Sequence, residues 1–241
     1  MKIPVYVISV RSFTDRHAHI ESLALKYGFK FKYIWEHDTT EKDFPRWSGI
    51  ISSDLAPKSV SNVLKHLEAQ KKFLDIGAEI ALILEDDVIF LDGFLERFQQ
   101  VITLSEKLDN EWLIFLGGAD NKIDPRFMGK KGMSLVNSWI TTAEAYLIDR
   151  AGCEKRMKWL ENHTIDRQAD HLIKQMDEQL GITHFRVSIP LTTQGSITGK
   201  FKTQLDSSRQ KHGQLFLRCR YEYNKFRRQT LPRLMYRLRN F

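Results

Sequence analysis

The run Ile80-Ala81-Leu82-Ile83-Leu84-Glu85-Asp86-Asp87-Val88-Ile89-Phe90 constrains the chain more than any other stretch. Gly77 precedes it and Asp92-Gly93 follow it, so the apolar run reads as a strand buried on both faces. Three consecutive carboxylates lie near its C-terminal end. Charges so close to a core are costly unless they are paired or bound to a cation. Alternation along a strand puts Glu85 and Asp87 on one face and Asp86 on the other. Two acids on one side of a strand end can hold a hard divalent cation, which can in turn hold phosphates. The plainer alternative is an acidic strand end that salt-bridges a neighbouring Lys or Arg. In open α/β sheets, ligands bind beyond the carboxyl ends of the strands.

The flanking segments alternate in the same style. Residues 3–10 read as a strand. A helix follows, capped by Ser12 or Thr14, with Ile20, Leu23, Ala24 and Tyr27 on one side and Gly28 as its stop. Phe29 to Trp35 then alternates as a second strand, which completes a β-α-β opening. Residues 39–58 read as a long loop with a short helix, and 59–76 as a helix whose inner face carries Val60, Val63, Leu64, Leu67 and Leu74. Asp92 is expected to cap a helix over 93–108. Strands are expected at Trp112–Leu116, 135–140, 143–148 and 182–189, with a loop over 119–134 and a helix over 151–161. Thr164 is positioned to cap another helix that Gly181 ends. The fold class is therefore α/β, and its opening is the usual start of a parallel nucleotide-binding sheet.

The 241 residues suit one large domain with a tail, and 42% apolar and 11% aromatic content argues for a packed core. No run spans a bilayer, and the first ten residues do not read as a signal peptide. Cys153 and Cys219 are expected to be reduced thiols, and the expected location is cytoplasmic. The net charge of +7 is unevenly spread. Residues 209–241 hold ten Lys or Arg against Glu222, a net +9, which leaves −2 for residues 1–208. The boundary between a catalytic domain and a basic helical tail is placed there. In the tail, Leu, Phe, Tyr and Arg interleave, a composition that suits adsorption to an anionic membrane surface. The alternative is an ordinary terminal helix packed on the domain.

Other candidate residues sit at predicted strand ends. Arg11 and Arg16 follow the first strand, where guanidinium groups can meet phosphate. Asp38 follows the second, where an acid can bond a ribose hydroxyl or merely cap a turn. Gly117-Gly118 ends the fourth and lets backbone approach a ligand. His66 lies at the edge of an apolar helical stripe, where a structural role is the simpler reading. Asp166 and Asp170, four apart, are expected to share a helix face as caps or as functional acids. The polar segment Pro190 to Lys202, with Gln194, Ser196 and Lys200, is expected to be a loop able to close over a substrate. No phosphate-loop, zinc-protease, CxxC or GxSxG motif is present.

Several segments in this order resemble glycosyltransferase family 25, the bacterial lipooligosaccharide galactosyltransferase type. Val7 to Arg16 is similar to the family's opening strand and "R-S-x-x-R"-like turn. Leu64-Lys65-His66 followed by Ala81 to Asp87 is similar to its "S-H … A-L-I-L-E-D-D" block, with Lys65 where Ser is usual. Trp112 to Gly117 resembles "W-D-x-x-x-L-G" without the Asp, and Thr142 to Ile148 resembles "T-x-A-Y-L-I". Ile165-Asp166 resembles "P-I-D" with Thr164 for Pro, and Pro190-Leu191 with Gln194-Gly195-Ser196 resembles "P-L-x-x-Q-G-S".

The resemblance implies a single GT-A-like α/β domain with a mixed, mainly parallel sheet, which moves a hexose, often galactose, from a UDP-sugar to a saccharide acceptor with inversion. It implies Mn2+ or Mg2+ held by Asp87 with Glu85 or Asp86. Arg11, Arg16 or Lys200 would share the diphosphate charge, and Asp38, Gly117, Gln194 and Ser196 would lie at the donor. Asp166 or Asp170, with His66 behind them, would supply the base. A lipid-linked acceptor and attachment to the inner face of a bacterial inner membrane follow as expectations. Two other readings stand beside this one: a metal-dependent phosphohydrolase, and a nucleic-acid- or membrane-binding protein without activity. Nucleic acid is not an expected partner of the transferase.

Overall fold

The computed structural model describes residues 3–38, 49–118, 127, 132–140, 142–202 and 211–239. Strand β1 (Val5–Ile8), helix α1 (Thr14–Tyr27) and strand β2 (Lys32–Ile34) form the expected opening, with the two strands parallel. Helix α2 (Pro57–Leu74) leads to β3 (Ile80–Glu85), which lies on the other side of β1 and parallel to it. Then come β4 (Val88–Phe90), α3 (Phe94–Ser105), β5 (Trp112–Phe115), β6 (Leu135–Asn137), β7 (Ala145–Asp149) and α4 (Arg150–Leu160). They are followed by α5 (Ala169–Leu180), β8 (Thr183–Val187), β9 (Thr192–Gln194) and the short α6 (Gly195–Thr198). The tail forms α7 (Gln214–Lys225), a wide turn over Phe226–Thr230, and α8 (Leu231–Arg239).

Seven strands share one sheet in the order β2-β1-β3-β7-β5-β8-β6. β7 runs against β3 and β5, and β6 runs against β8; the other neighbours are parallel. This is the mixed, mainly parallel α/β sheet read from the sequence. Strand alternation divides its core. Ala81, Ile83 and Tyr146 face α2, α4 and α5, where Leu64, Phe73, Trp159 and Met176 lie. Leu82, Leu84 and Leu147 face α1 and α3, where Ile20, Phe94, Phe98 and Val101 lie. Burying this much aliphatic surface, at about 25 cal/mol per Å2, is the main force on the fold. Between the helices of the first layer, Arg156 and Asp177 form a fully buried two-pronged ion pair at 2.6 and 2.8 Å, and His184 adds a third contact at 2.6 Å.

The structure departs from the sequence reading in several places. The run Ile80 to Phe90 is two strands, because β1 ends at Ile8 and β7 begins at Ala145, leaving nothing to pair with beyond Glu85. The chain turns at Asp86-Asp87, and β4 leaves the sheet to pair with β9. Strict alternation across the acidic triplet therefore does not apply. The segment expected to be a loop over 190–202 is instead β9 and α6. Helix α5 starts at Ala169 and not after Thr164, because Ile165 is drawn into a parallel bridge with Ile51 and buried. Asp166 thus lies outside the helix and does not share a helical face with Asp170. The capping expectations at Ser12, Thr14 and Asp92 also fail: the residues before α1 and α3 are Phe13 and Gly93, without side-chain caps. Gly28 and Gly181 do close α1 and α5 in the left-handed conformation. Much of the loops expected over 39–58 and 119–134 lies outside the described residues.

Candidate active site

The C-terminal ends of β1 and β3, the start of α2 and the start of α5 surround a cleft of about 510 Å3. That volume is in the range of small-molecule sites. Glu85, Asp86 and Asp87 all line it, with Arg16, Asp170, Gln194 and Ser196. The turn after β3 gives each carboxylate its own environment.

Glu85 accepts hydrogen bonds from Asn62 Nδ2 and Gln194 Nε2, both at 3.2 Å, and His66 Nε2 stands 3.5 Å away. Burial alone would raise its carboxyl, but His66, Asn62 and Gln194 together hold it below its ordinary value. Asn62 and His66 lie four apart on α2, so one helix face delivers both. His66 is buried, with its Nδ1 2.8 Å from the Tyr146 hydroxyl.

Asp86 accepts from Ser9 Oγ and from Arg16 Nη1, each at 2.6 Å. Burial raises its carboxyl even so, against the pull of Arg16. The Arg16 guanidinium lies over the Phe13 ring at 4.7 Å, and its other nitrogen reaches the Lys202 carbonyl at 2.5 Å. Of the two options raised for an acidic strand end, Asp86 has taken the salt bridge.

Asp87 is anchored by α6. The Ser196 N–H donates to its Oδ2 at 2.9 Å, and the Gly195 N–H donates to its main-chain carbonyl at 2.7 Å. Burial and the neighbouring Glu85 charge push its carboxyl up to about 6, with Arg16 opposing. A cation would relieve that repulsion. Among the described residues no three His, Cys, Asp or Glu side chains form a metal-binding group. A hard cation that completes its shell with phosphate and water needs only one or two carboxylates. Asp87 meets that requirement, and Glu85, whose oxygens also accept from the neutral amides of Asn62 and Gln194, stands beside it; Asp86 is neutralised by the Arg16 cation.

The remaining predicted residues divide. Asp170 faces the cleft at the start of α5. Asp166 is on the surface, paired with Arg167 at 2.7 Å. Asp38 is buried, bonded to Lys65 Nζ at 2.6 Å and to the Arg11 N–H at 3.0 Å, and lies off the cleft. The Arg11 guanidinium lies over Trp35, 5.4 Å from the ring centroid. Lys200 donates to His19 Nδ1 at 2.9 Å, and His19 Nε2 donates to the Val88 carbonyl at 2.7 Å. Arg11, Asp38, Gly117, Lys200, Asp166 and His66 are thus not among the residues lining the cleft.

Sequence reasoning missed Ser9, Asn62 and Lys65, three cleft residues that pair with the acids named above, and Glu144 behind them. Asn62 was detectable as a polar residue one helical turn before His66. Glu144 lies across the β3–β7 pair, where its carbonyl accepts from the Glu85 N–H at 2.9 Å. It is 1% exposed, and neither carboxyl oxygen has a hydrogen-bond partner among the described residues. Burial pushes the carboxyl up to about 8; nearby amides offset part of this, and the Glu85 and Asp87 charges add to it. Gly117 exists to make room, since a Cβ there would lie 1.7 Å from Glu144 Oε1.

No family model and no curated protein matches the chain. Among solved structures it is similar to the inositol-1-phosphate CTP transferase from T. maritima, with 9% identity and a TM-score of 0.40 over 91% of this chain and 77% of that one. It is also similar to galactosyltransferase LgtC in complex with donor and acceptor sugar analogs, with 12% identity and a TM-score of 0.36 over 71% and 69%. A third is the apo-form glycosyltransferase GlyE in Streptococcus pneumoniae TIGR4, with 14% identity and a TM-score of 0.36 over 76% and 45%.

Proposed function

We propose that this cleft binds a UDP-hexose and transfers the sugar, galactose being the first candidate, to a saccharide acceptor with inversion. The ordered sequence blocks that resemble glycosyltransferase family 25, and the GT-A-like domain they imply, support this reading. The single observation that carries it is the acidic turn at the end of β3, open to a cleft whose wall also presents Arg16. Mn2+ or Mg2+, when bound by Asp87 with Glu85, supplies charge neutralisation for a leaving diphosphate. Arg16 adds a fixed positive charge beside it, and Asp86 orients Arg16. The Ser196 amide and α6 hold the Asp87 carboxylate in place. His66, Asn62 and Gln194 keep Glu85 ionised at neutral pH.

Inversion requires a base on the acceptor hydroxyl. Asp170 is the one of the three candidate bases that faces the cleft, and it takes that role here; Asp166 and His66 are the reserves. The acceptor is proposed to be lipid-linked, of the lipooligosaccharide type, with the enzyme on the inner face of the inner membrane through residues 209–241. Among the described residues no helix is long and apolar enough to cross a membrane.

The test is UDP release from a panel of UDP-hexoses with Mn2+ and an oligosaccharide acceptor. The Asp170→Asn variant is expected to lose at least about 100-fold in rate, the lower range for a general base, while retaining UDP binding. Wild-type turnover by that variant would remove Asp170 from the mechanism. Failure of every UDP-hexose to bind or react with either cation would end the transferase reading.

A further inference from the structure

Among the described residues the tail meets the acidic site through α6. Helix α7 packs on α6, and the two backbones meet at Gly199. A Cβ at Gly199 would lie 2.4 Å from the Gln214 carbonyl oxygen and 3.2 Å from the Arg218 nitrogen. Leu217 and Tyr221 are the buried side chains of the tail among the described residues. The same α6 fixes Asp87 through the Ser196 and Gly195 amides. A Cβ at Gly195 would lie 2.8 Å from the Asp87 carbonyl oxygen and 2.4 Å from the Phe201 ring, so there is little slack on that side. The path from α7 to the Asp87 carboxylate is one short helix.

Much of the tail's remaining apolar surface is exposed among the described residues. Leu215, Phe216, Tyr223 and Phe226 are more than half exposed, and Leu238 is 76% exposed. On α8, Leu231, Leu234, Met235 and Leu238 follow helical spacing, with Arg233 and Arg237 between them. Ten basic residues against one acid give residues 209–241 a net +9. Arginine with exposed aromatic rings also suits nucleic acid, but α8 exposes Leu231, Leu234, Met235 and Leu238, side chains that stack on no base. Exposed Leu and Met between arginines instead fit a lipid surface, with apolar side chains among acyl chains and guanidinium groups at anionic headgroups.

We propose that the C-terminal segment is a lipid-responsive arm of the acidic site: adsorption of α7 and α8 to an anionic bilayer stiffens α6 and thereby the Asp87 carboxylate. The reciprocal also holds, since coupling between two sites is symmetric: ligand that orders Asp87 tightens lipid adsorption. The lipid as partner rests on the tail alone. The consequence for donor binding rests on the transferase reading.

The full chain is mixed with vesicles of phosphatidylglycerol or of phosphatidylcholine, and co-sedimentation is read together with hydrogen exchange of the amides over 195–199. Phosphatidylglycerol vesicles are expected to bind the chain and slow that exchange about fivefold, a modest coupling. The pair Leu234→Glu with Leu238→Glu, on exposed positions, is expected to lose about tenfold in vesicle affinity. The pair Leu217→Ala with Tyr221→Ala is expected to bind vesicles but no longer slow exchange at 195–199. Equal binding to both lipids, unchanged exchange at saturation, or displacement by RNA at equal charge would overturn the proposal. UDP titration with Mn2+, with and without vesicles, gives the separate arm. If UDP fails to bind in both while the exchange effect persists, the transferase reading falls and the lipid-responsive arm stands.

Discussion

Replacing Glu144 by Gln isolates a buried acid that has no side-chain partner among the described residues. Glu144 is buried behind Glu85 and Asp87, its carboxyl oxygens lack partners among the described residues, and burial holds its carboxyl at about 8 against an ordinary 4.5. The sign follows from proton counts. Between 4.5 and about 8 the unfolded chain has released the proton while the folded chain still holds it, so stability falls as pH rises through that window. Each pH unit is worth about 1.4 kcal/mol, so the full window amounts to roughly 5 kcal/mol, a large share of a typical domain's stability. The Asp87 and Glu85 charges, which titrate with it, trim this. Glu144→Gln keeps the volume and removes the proton. Urea unfolding at pH 5 and pH 8, with chelator present, measures the difference. The variant is expected to match the native chain near pH 5 and to exceed it by about 3–5 kcal/mol at pH 8. Parallel stability profiles for the two proteins would show that Glu144 is solvated or paired, and the argument from its burial would be wrong.

Gly117→Ala should destabilise by about 1–3 kcal/mol in urea unfolding, because its Cβ would fall 1.7 Å from Glu144 Oε1 and 2.8 Å from Thr192 Oγ1, so buried side chains must shift to admit it. Arg156→Met should cost about 3–5 kcal/mol by leaving Asp177 buried without its two-pronged partner; a change below 1 kcal/mol would mean water reaches that pair. Mn2+ affinity, read by isothermal titration, should weaken about tenfold per unit as pH falls below about 6, where Asp87 takes a proton. The Asp87→Asn variant should lose both the affinity and this slope. An unchanged slope would move the titrating ligand elsewhere.

The β-α-β opening, the stop signals at Gly28 and Gly181 and the acidic end of β3 were all legible in the sequence. They depend on local rules: alternation, helical spacing, and glycine's tolerance of positive φ. The cleft was legible only as a place, the carboxyl ends of β1 and β3. Arg16, Asp170 and the pair Gln194 and Ser196 arrive there from three separate segments. Asp38 and Lys200 looked equally suited to a ligand and turned out to be occupied, one by Lys65 and the other by His19. Local patterning cannot show such pairing, since each partner lies more than twenty residues away.

The chain's own order of residues determined that three carboxylates would end a buried strand and that the positive charge would collect in the last thirty-odd residues. Both are properties of composition along a line. Only the tertiary structure decided what each carboxylate does, because the environment is supplied by other segments. β1 and α1 bring Ser9 and Arg16 to Asp86, α2 and β9 bring Asn62, His66 and Gln194 to Glu85, and α6 brings the Ser196 amide to Asp87. The charge state of a carboxylate depends on its burial and its neighbours in space. Neither can be read from three adjacent acids in a sequence.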